Sequence, residues 1–451
     1  MKIEKKLWII LFAFGIFAIC FSGWIFRQST AREKLFWDNT IRCETKELKE
    51  GEIKSENIAL PEDFDVPKSI LFKTTHTIAE VWLDGEKIYE YGNEADAPGF
   101  MKTPGSCWHI VDIPGDSSGK NLEVRIIPVY EGYYGNEVSL VYGTRGDCIL
   151  KILTDCLGIL VISCGILFAA VICILLYCGA ARRKRSDKTE AKIEIFLNLG
   201  FFSLLVAVWT LVQCGFLQFL IPDGRTLYFV EYFSLFLFPV PFNFLLYDIC
   251  KSKYHKGALI FSILYLTNMA VDVLLQCTGI IDMSRLLSVI HVIMVANVVY
   301  TVVIILYEAG KKENDVAQKF RYPMCVVMGF GMAEMIFYYL RRFEQISILL
   351  SMGTMLFIIM LIWIQVSQYY DQYIQKQKVI YLQKIANMDM LTEAMNRNAY
   401  EDMVKYLDEG EIKLSTTGVV VFDLDDLKVI NDNFGHEKGD EALKLCYQCI
   451  S

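Results

Sequence analysis

The chain has 451 residues, a formal net charge of −8, 54% hydrophobic and 21% charged residues, and a mean hydropathy of +0.35. With apolar runs of about 18 or more residues recurring, that balance excludes an ordinary soluble protein and defines an integral membrane protein of several domains. The net charge sums segments on different sides of a membrane, and no basic stripe suggests a nucleic-acid partner. Of the fourteen cysteines, Cys20, Cys156, Cys164, Cys173, Cys214, Cys277 and Cys325 lie in apolar runs, where Cys behaves as a small hydrophobe. There is no paired CxxC zinc spacing. Cys446 and Cys449 form a CxxC on a helical stretch, read as core packing.

In chain order, residues 1–26 come first. Leu7 to Phe26 is apolar behind Lys2, Lys5 and Lys6, is longer than a signal-peptide core, and lacks a small-x-small cleavage site. It is predicted to remain as an N-terminal transmembrane anchor with its amino end in the cytoplasm. Residues 27–150 are polar with strand and turn signals. Ile78 to Leu83 runs into Asp84-Gly85, a hairpin turn pair, and then Lys87-Ile88-Tyr89. Trp108 to Ile113 and Asn121 to Ile126 follow, separated by Pro and Gly turn residues. Short strands at this spacing predict an all-β sandwich outside the cytoplasm. The run VWLDGEKIYEYG, then WHIVDIP and GKNLEVRI, resembles jelly-roll carbohydrate-binding modules of sensor ectodomains. Tyr130, Tyr133 and Tyr134 would either stack on a sugar or form an aromatic rim of the β core. Cys43 and Cys107 would sit in an oxidising compartment, and the sequence leaves their pairing open.

Residues 151–367 are predicted to form a seven-helix transmembrane region, with spans near 151–178, 194–220, 227–250, 257–280, 286–308, 322–341 and 346–367. Alternate loops carry Arg182, Arg183, Lys184 and Arg185; Lys251, Lys253 and Lys256; Lys311, Lys312, Lys319 and Arg321. The opposite loops carry only Arg225, Arg285, Arg341 and Arg342. This bias puts the first set in the cytoplasm, and one plus seven spans returns the C-terminus there. Asp272, His291 and Glu334 fall inside spans, where ionisable groups are costly. Polar packing of the bundle interior and a ligand or ion site are the two readings. An anchor, an ectodomain, seven spans and a cytoplasmic module resemble bacterial seven-transmembrane receptors with diverse intracellular signalling modules. Residues 368–388 continue the last span as a polar linker helix. Val366, Tyr370, Tyr373, Gln377 and Ile380 follow heptad-like steps, set against a merely solvated helix.

The chemistry lies in residues 389–451. Val419-Val420-Val421 suggests a strand buried on both faces, leading through Phe422 to Asp423, Asp425 and Asp426, hard oxygen donors suited to a divalent cation. Lys428 is a point charge suited to phosphate, and Gly435 a plausible helix C′ residue. The stretch FDLDDLKVINDNFGHEKGD, preceded by Asp389-Met390-Leu391-Thr392 and Asn396-Arg397, resembles the first half of a GGDEF domain, the diguanylate cyclase family, which condenses two GTP into cyclic di-GMP.

The resemblance covers about 386–451 and implies a partial α/β palm-like domain. It gives Asp423 and the Leu424 carbonyl to Mg²⁺, and Lys428 to the GTP triphosphate. It gives Asn431 and Asp440 to guanine and His436 to substrate contact. It further implies a homodimer through the linker helix and the GGDEF domain. Leu427 departs from the family's usual Phe. The family's G-G-[DE]-E-F hairpin is not among these residues, so the 451-residue chain is expected to carry half an active site and to be inactive by itself. The leading expectation is a signalling receptor in the bacterial plasma membrane. A non-catalytic receptor or binding protein is the alternative, and a transporter a distant third.

Overall fold

The computed structural model describes residues 40–43, 54–60, 67–93, 98–130, 138–184, 194–311, 313–340, 347–408, 418 and 420–450. The chain divides into two compact units, Met1–Leu361 and Ile362–Ser451. The predicted anchor at 7–26, Tyr133 and Tyr134 lie outside the described residues.

Eight strands come first: β1 (Thr40–Cys43), β2 (Lys54–Ala59), β3 (Lys68–Thr75), β4 (Thr77–Leu83), β5 (Glu86–Tyr91), β6 (Ser106–Ile113), β7 (Asn121–Pro128) and β8 (Val138–Gly143). They pair antiparallel in two four-stranded sheets, ordered β1-β8-β3-β6 and β2-β7-β4-β5. Burial alternates along β6 and β7, the period-2 signature of strands with one buried face. Ile70, Phe72, Val111, Ile113 and Leu140 of one sheet share a core with Ala79, Val81, Leu122, Val124 and Ile126 of the other. Each large side chain so buried is worth about 1.5–3 kcal/mol. The β4–β5 turn is Asp84-Gly85, with φ of 47° and 86°, the doubly left-handed turn that a tight hairpin needs. Three strand-to-strand steps of about 4.8 Å separate β1 from β6. Cys43 and Cys107 are therefore too far apart for a disulfide, whose Cα atoms must lie within about 7 Å, and Cys107 is a free buried thiol.

Eleven helices longer than one turn follow among the described residues. They are α1 (Arg145–Lys184), α2 (Glu194–Gln213), α3 (Gly224–Leu237), α4 (Pro239–Ile249), α5 (Lys256–Cys277), α6 (Leu287–Gly310), α7 (Asp315–Leu340), α8 (Ile348–Asn387), α9 (Arg397–Asp408), α10 (Leu427–Phe434) and α11 (His436–Ile450). Among the described residues, six helical segments are long and apolar enough to cross a membrane: Arg145–Gly179, Glu194–Gln213, Gly224–Ile249, Lys253–Cys277, Met283–Gly310 and Asp315–Leu340. The third joins α3 to α4 at Pro239, which has no N–H to give to the preceding turn. The seventh expected span is a shorter apolar stretch, Ile348–Ile364, at the front of the 40-residue α8.

Several buried polar groups in the helical region are hydrogen-bonded, while others, such as the Thr301 and Thr354 hydroxyls, are not. Asn243 and Asn297 exchange side-chain amide hydrogen bonds of 3.2 and 3.0 Å. Of the three ionisable groups, Glu334 accepts from the Ser347 and Leu350 amides at 2.6 and 2.9 Å, capping the start of α8 where free N–H groups need an acceptor. Asp272 accepts from Asn268 at 2.7 Å. His291 Nδ1 is 2.9 Å from the Tyr339 hydroxyl.

The strands and the helical region meet within the first unit. β6 is an edge strand, and a bare edge is a hazard. Here the Trp108 N–H donates to Gln218 Oε1 at 2.8 Å and Gln218 Nε2 donates to the Trp108 carbonyl at 2.9 Å, so one amide side chain occupies the edge. The indole lies on Gly215, where a Cβ would come within 2.8 Å of the ring and φ is +75°. Leu71 and Val141 of the sheets pack with Cys148, Ile152, Cys156, Ile159 and Cys214. Tyr130 is buried and bonded to Asp282, so it offers no open ring face to a sugar.

Candidate functional site: the 386–451 segment

Asp389 begins the segment by folding a tight turn. Its Oδ1 accepts from the Leu391 amide (3.1 Å), the Thr392 amide (2.9 Å) and the Thr392 hydroxyl (3.0 Å). The Thr392 amide and hydroxyl, with the Leu391 amide, hold the Asp389 carboxyl below its usual range despite a small opposing desolvation. Glu393 adopts φ +58°, and Met388 bridges Met395. Asn396 closes the turn in both directions. Its Nδ2 donates to the Ala386 carbonyl at 2.8 Å, at the end of α8. Its Oδ1 accepts from the Asn398 and Ala399 amides at 3.0 and 3.2 Å, as the N-cap of α9. The Asp, Thr and Asn of the motif thus fix how the chain leaves one helix and enters the next.

The predicted strand at 419–421 is not formed in the described residues. Val420, Phe422 and Asp423 have no regular secondary structure, and Val421 is 87% exposed. A strand buried on both faces needs neighbours to take its N–H and C=O groups, and no strand is present among the described residues of 362–451. Asp423, Asp425 and Asp426 are exposed. Asp426 then turns the chain with φ +56°, and its carbonyl accepts from Val429 and Ile430 to start α10. The helix stops at Gly435, φ +84°, whose N–H donates to the Asn431 carbonyl at 2.9 Å, and α11 starts at His436.

This helix–Gly–helix turn brings two expected base-reading positions together. Asn431 packs on Gly439, the buried residue just before Asp440, and a Cβ at 439 would reach within 2.8 Å of the Asn431 amide carbon. Lys428 lies exposed on the first turn of α10, and His436 and Asp440 are exposed on α11. No hydrogen bond or ion pair joins Asp423 to Lys428 among the described residues, and no group of three His, Cys, Asp or Glu side chains is placed to hold a metal there. The donor set present is the Asp423 carboxylate and the Leu424 carbonyl. Both are hard oxygens, and two protein oxygens plus phosphates and water fit magnesium, which seldom takes an all-protein cage.

Two working residues lie outside the expected substrate and metal set, although Asn396 already stands in the entry motif. Gly439 carries a signal, a glycine inside a helical pattern that usually has a packing reason. Asn396 has one too, an Asn directly before a helix.

Residues 386–451 belong to the diguanylate cyclase, GGDEF domain family. Two curated proteins are similar to the chain over short stretches. The chain is 37% identical over 70 residues to the cyclic di-GMP phosphodiesterase NbdA of Pseudomonas aeruginosa, covering 15% of this chain and 9% of that one. It is 38% identical over 63 residues to the cyclic di-GMP phosphodiesterase PdeR of Escherichia coli K12, covering 14% and 9%. The matched part is thus under a tenth of each relative's length. No solved structure matches the chain.

Proposed function

We propose that this protein is a bacterial membrane signalling receptor whose GGDEF segment is a cytoplasmic, GTP-handling output in cyclic di-GMP metabolism. The observation that carries the reading is the ordered GGDEF match at 386–451, beginning where a helix with an apolar front half ends. The β region is read as a jelly-roll sandwich on the opposite side, and the strand order supports this: two Greek keys in two sheets. It touches the α2–α3 connection at Gln218 and the α5–α6 connection at Asp282. Those are basic-poor loops, which favours the outside.

Asp423 and Leu424 would hold Mg²⁺, which when bound would neutralise phosphate charge. Lys428 would meet the triphosphate, Asn431 and Asp440 would read the guanine edge, and His436 would contact the substrate. A site that hydrogen-bonds one base rejects the base that leaves its groups unpaired. The purified protein should therefore bind Mg²⁺-GTP in preference to ATP. Asp423→Asn should weaken both nucleotides by about tenfold, roughly 1.4 kcal/mol, while Asn431→Ala should narrow the preference. Equal binding of GTP and ATP by the unaltered protein would refute the assignment.

A second reading is favoured by the relatives' names, since both are phosphodiesterases of cyclic di-GMP. Here the segment binds GTP as a regulatory module and condenses nothing. In a protein that joins this segment to a G-G-[DE]-E-F hairpin, cyclic di-GMP formed from GTP and lost in Asp423→Ala supports the first reading; GTP binding there without product supports the second.

A further inference from the structure

We propose that Asp282 couples the β region to the helical bundle, so that the connection between α5 and α6 responds to the state of the strands. The proposal names the input path of the receptor described above, and rests on that reading only for what the path controls.

Asp282 is buried and its carboxylate takes donors from both sides. From the β region come the Tyr130 hydroxyl and the Lys102 amide at 3.4 Å. From the bundle comes Gln276 Nε2 at 2.6 Å. The same Gln276 nitrogen also donates to the Phe100 carbonyl at 2.6 Å. Gln276 Oε1 accepts from the Met283 amide at 3.0 Å and the Tyr228 hydroxyl at 3.2 Å, and that hydroxyl accepts from the Ser284 amide at 3.0 Å. The Met283 and Ser284 amides at the return into α6 are thus held by Gln276 and Tyr228, and Gln276 also binds the Phe100 carbonyl of the β region. Beside the network, Met101 is packed among Trp209, Tyr228, Tyr232 and Met283.

Two features separate this joint from ordinary packing. A buried carboxylate deprived of one donor keeps its desolvation cost, so the network favours all of its contacts or few of them. The contacts on the strand side come from 100–102 and Tyr130, short connections rather than sheet interior, so they can shift without unfolding the core. At the α2–α3 connection the Gln218 side chain binds the Trp108 backbone and the indole lies on Gly215, both neutral contacts, whereas the Asp282 joint carries charge, with the Arg285 guanidinium 5.9 Å from the Tyr130 ring centroid.

Coupling is reciprocal, and that makes it testable by hydrogen exchange on the purified 451-residue protein. Tyr130→Phe, a change in the β region, should speed exchange in 276–286 by about tenfold. Gln276→Ala, a change in the bundle, should speed exchange in 98–105 by a similar factor, within the usual range of coupling. Neither should alter 122–126 in the β core, and the surface variant Arg125→Ala should alter neither joint segment. Unchanged exchange at 276–286 in Tyr130→Phe would overturn the proposal, and so would a uniform rise through 122–126, which marks a folding residue. If Gln276→Ala does not fold, Tyr130→Phe decides alone. No nucleotide enters the readout, so this result and the GTP result fail independently.

Discussion

Gly439 stands inside α11, where alanine is ordinarily favoured by about 1 kcal/mol. Its bare Cα gives Asn431 a place to lie. Gly439→Ala is accordingly expected to keep α11 helical while displacing Asn431, so GTP-over-ATP preference should fall with no loss of ellipticity. Nucleotide competition beside circular dichroism checks it. Two histidines make a second residue-scale prediction. Burial lowers His76 from the ordinary 6.5 to about 4, against a smaller opposing pull from Asp282, and lowers His109 to about 3. His109 is held between Thr74 and the Tyr89 hydroxyl at 2.7 and 2.9 Å. Both folded values lie below the unfolded one, so the unfolded chain binds more protons. The stability of the neutral rings is full above about pH 6.5 and is lost as pH falls towards about 4 and 3, at about 1.4 kcal/mol per pH unit for each ring. Thermal unfolding between pH 7 and 4.5 should show this fall, and His109→Gln should flatten it. An unchanged slope would count against the assignment. These residue roles were partly legible in sequence. Asp423, Lys428 and Asn431 stand out by motif, whereas Asp282 and Gln276 are ordinary polar residues whose meaning comes from partners over 100 residues away.

At the scale of elements, periodicity carried far. Strands at 78–83, 108–113 and 121–126 and the Asp84-Gly85 turn are where alternation and turn chemistry place them. The span near 194–220 ends earlier, at Gln213, because Gly215 turns the chain with a positive φ into a short 3-10 helix. Val420 and Val421 form no strand among the described residues: apolar composition shows that a strand is wanted, while pairing partners decide whether one forms. Sheet order was likewise hidden, and it alone separates Cys43 from Cys107. The rear of α8 carries exposed Tyr370, Tyr373 and Ile380, while the side chain of Val366 is outside the described residues. If this stripe joins two copies, Tyr373→Cys should form a disulfide between them under oxidation and Gln375→Cys, on the opposite helical face, should not. Gel mobility without reductant reads the difference, and equal cross-linking at both would argue for a solvated helix.

For the whole molecule, composition was enough to point to a membrane, while loop charge only proposes an orientation. What sequence did not supply is how the β region sits on the helices, because that joint is built from single side chains such as Gln218, Tyr130 and Asp282 rather than from any pattern. The central claim is that input and output lie on opposite sides of one membrane. The direct measurement introduces cysteine at the exposed Asp116 in the β region and the exposed Glu437 in the GGDEF segment. Intact cells are treated with an impermeant maleimide and the labelled peptides resolved by mass spectrometry. Asp116→Cys should label in intact cells and Glu437→Cys only after permeabilisation. Labelling of both positions in intact cells, or of Glu437→Cys alone, would contradict a receptor that carries an outside signal to a cytoplasmic GGDEF domain.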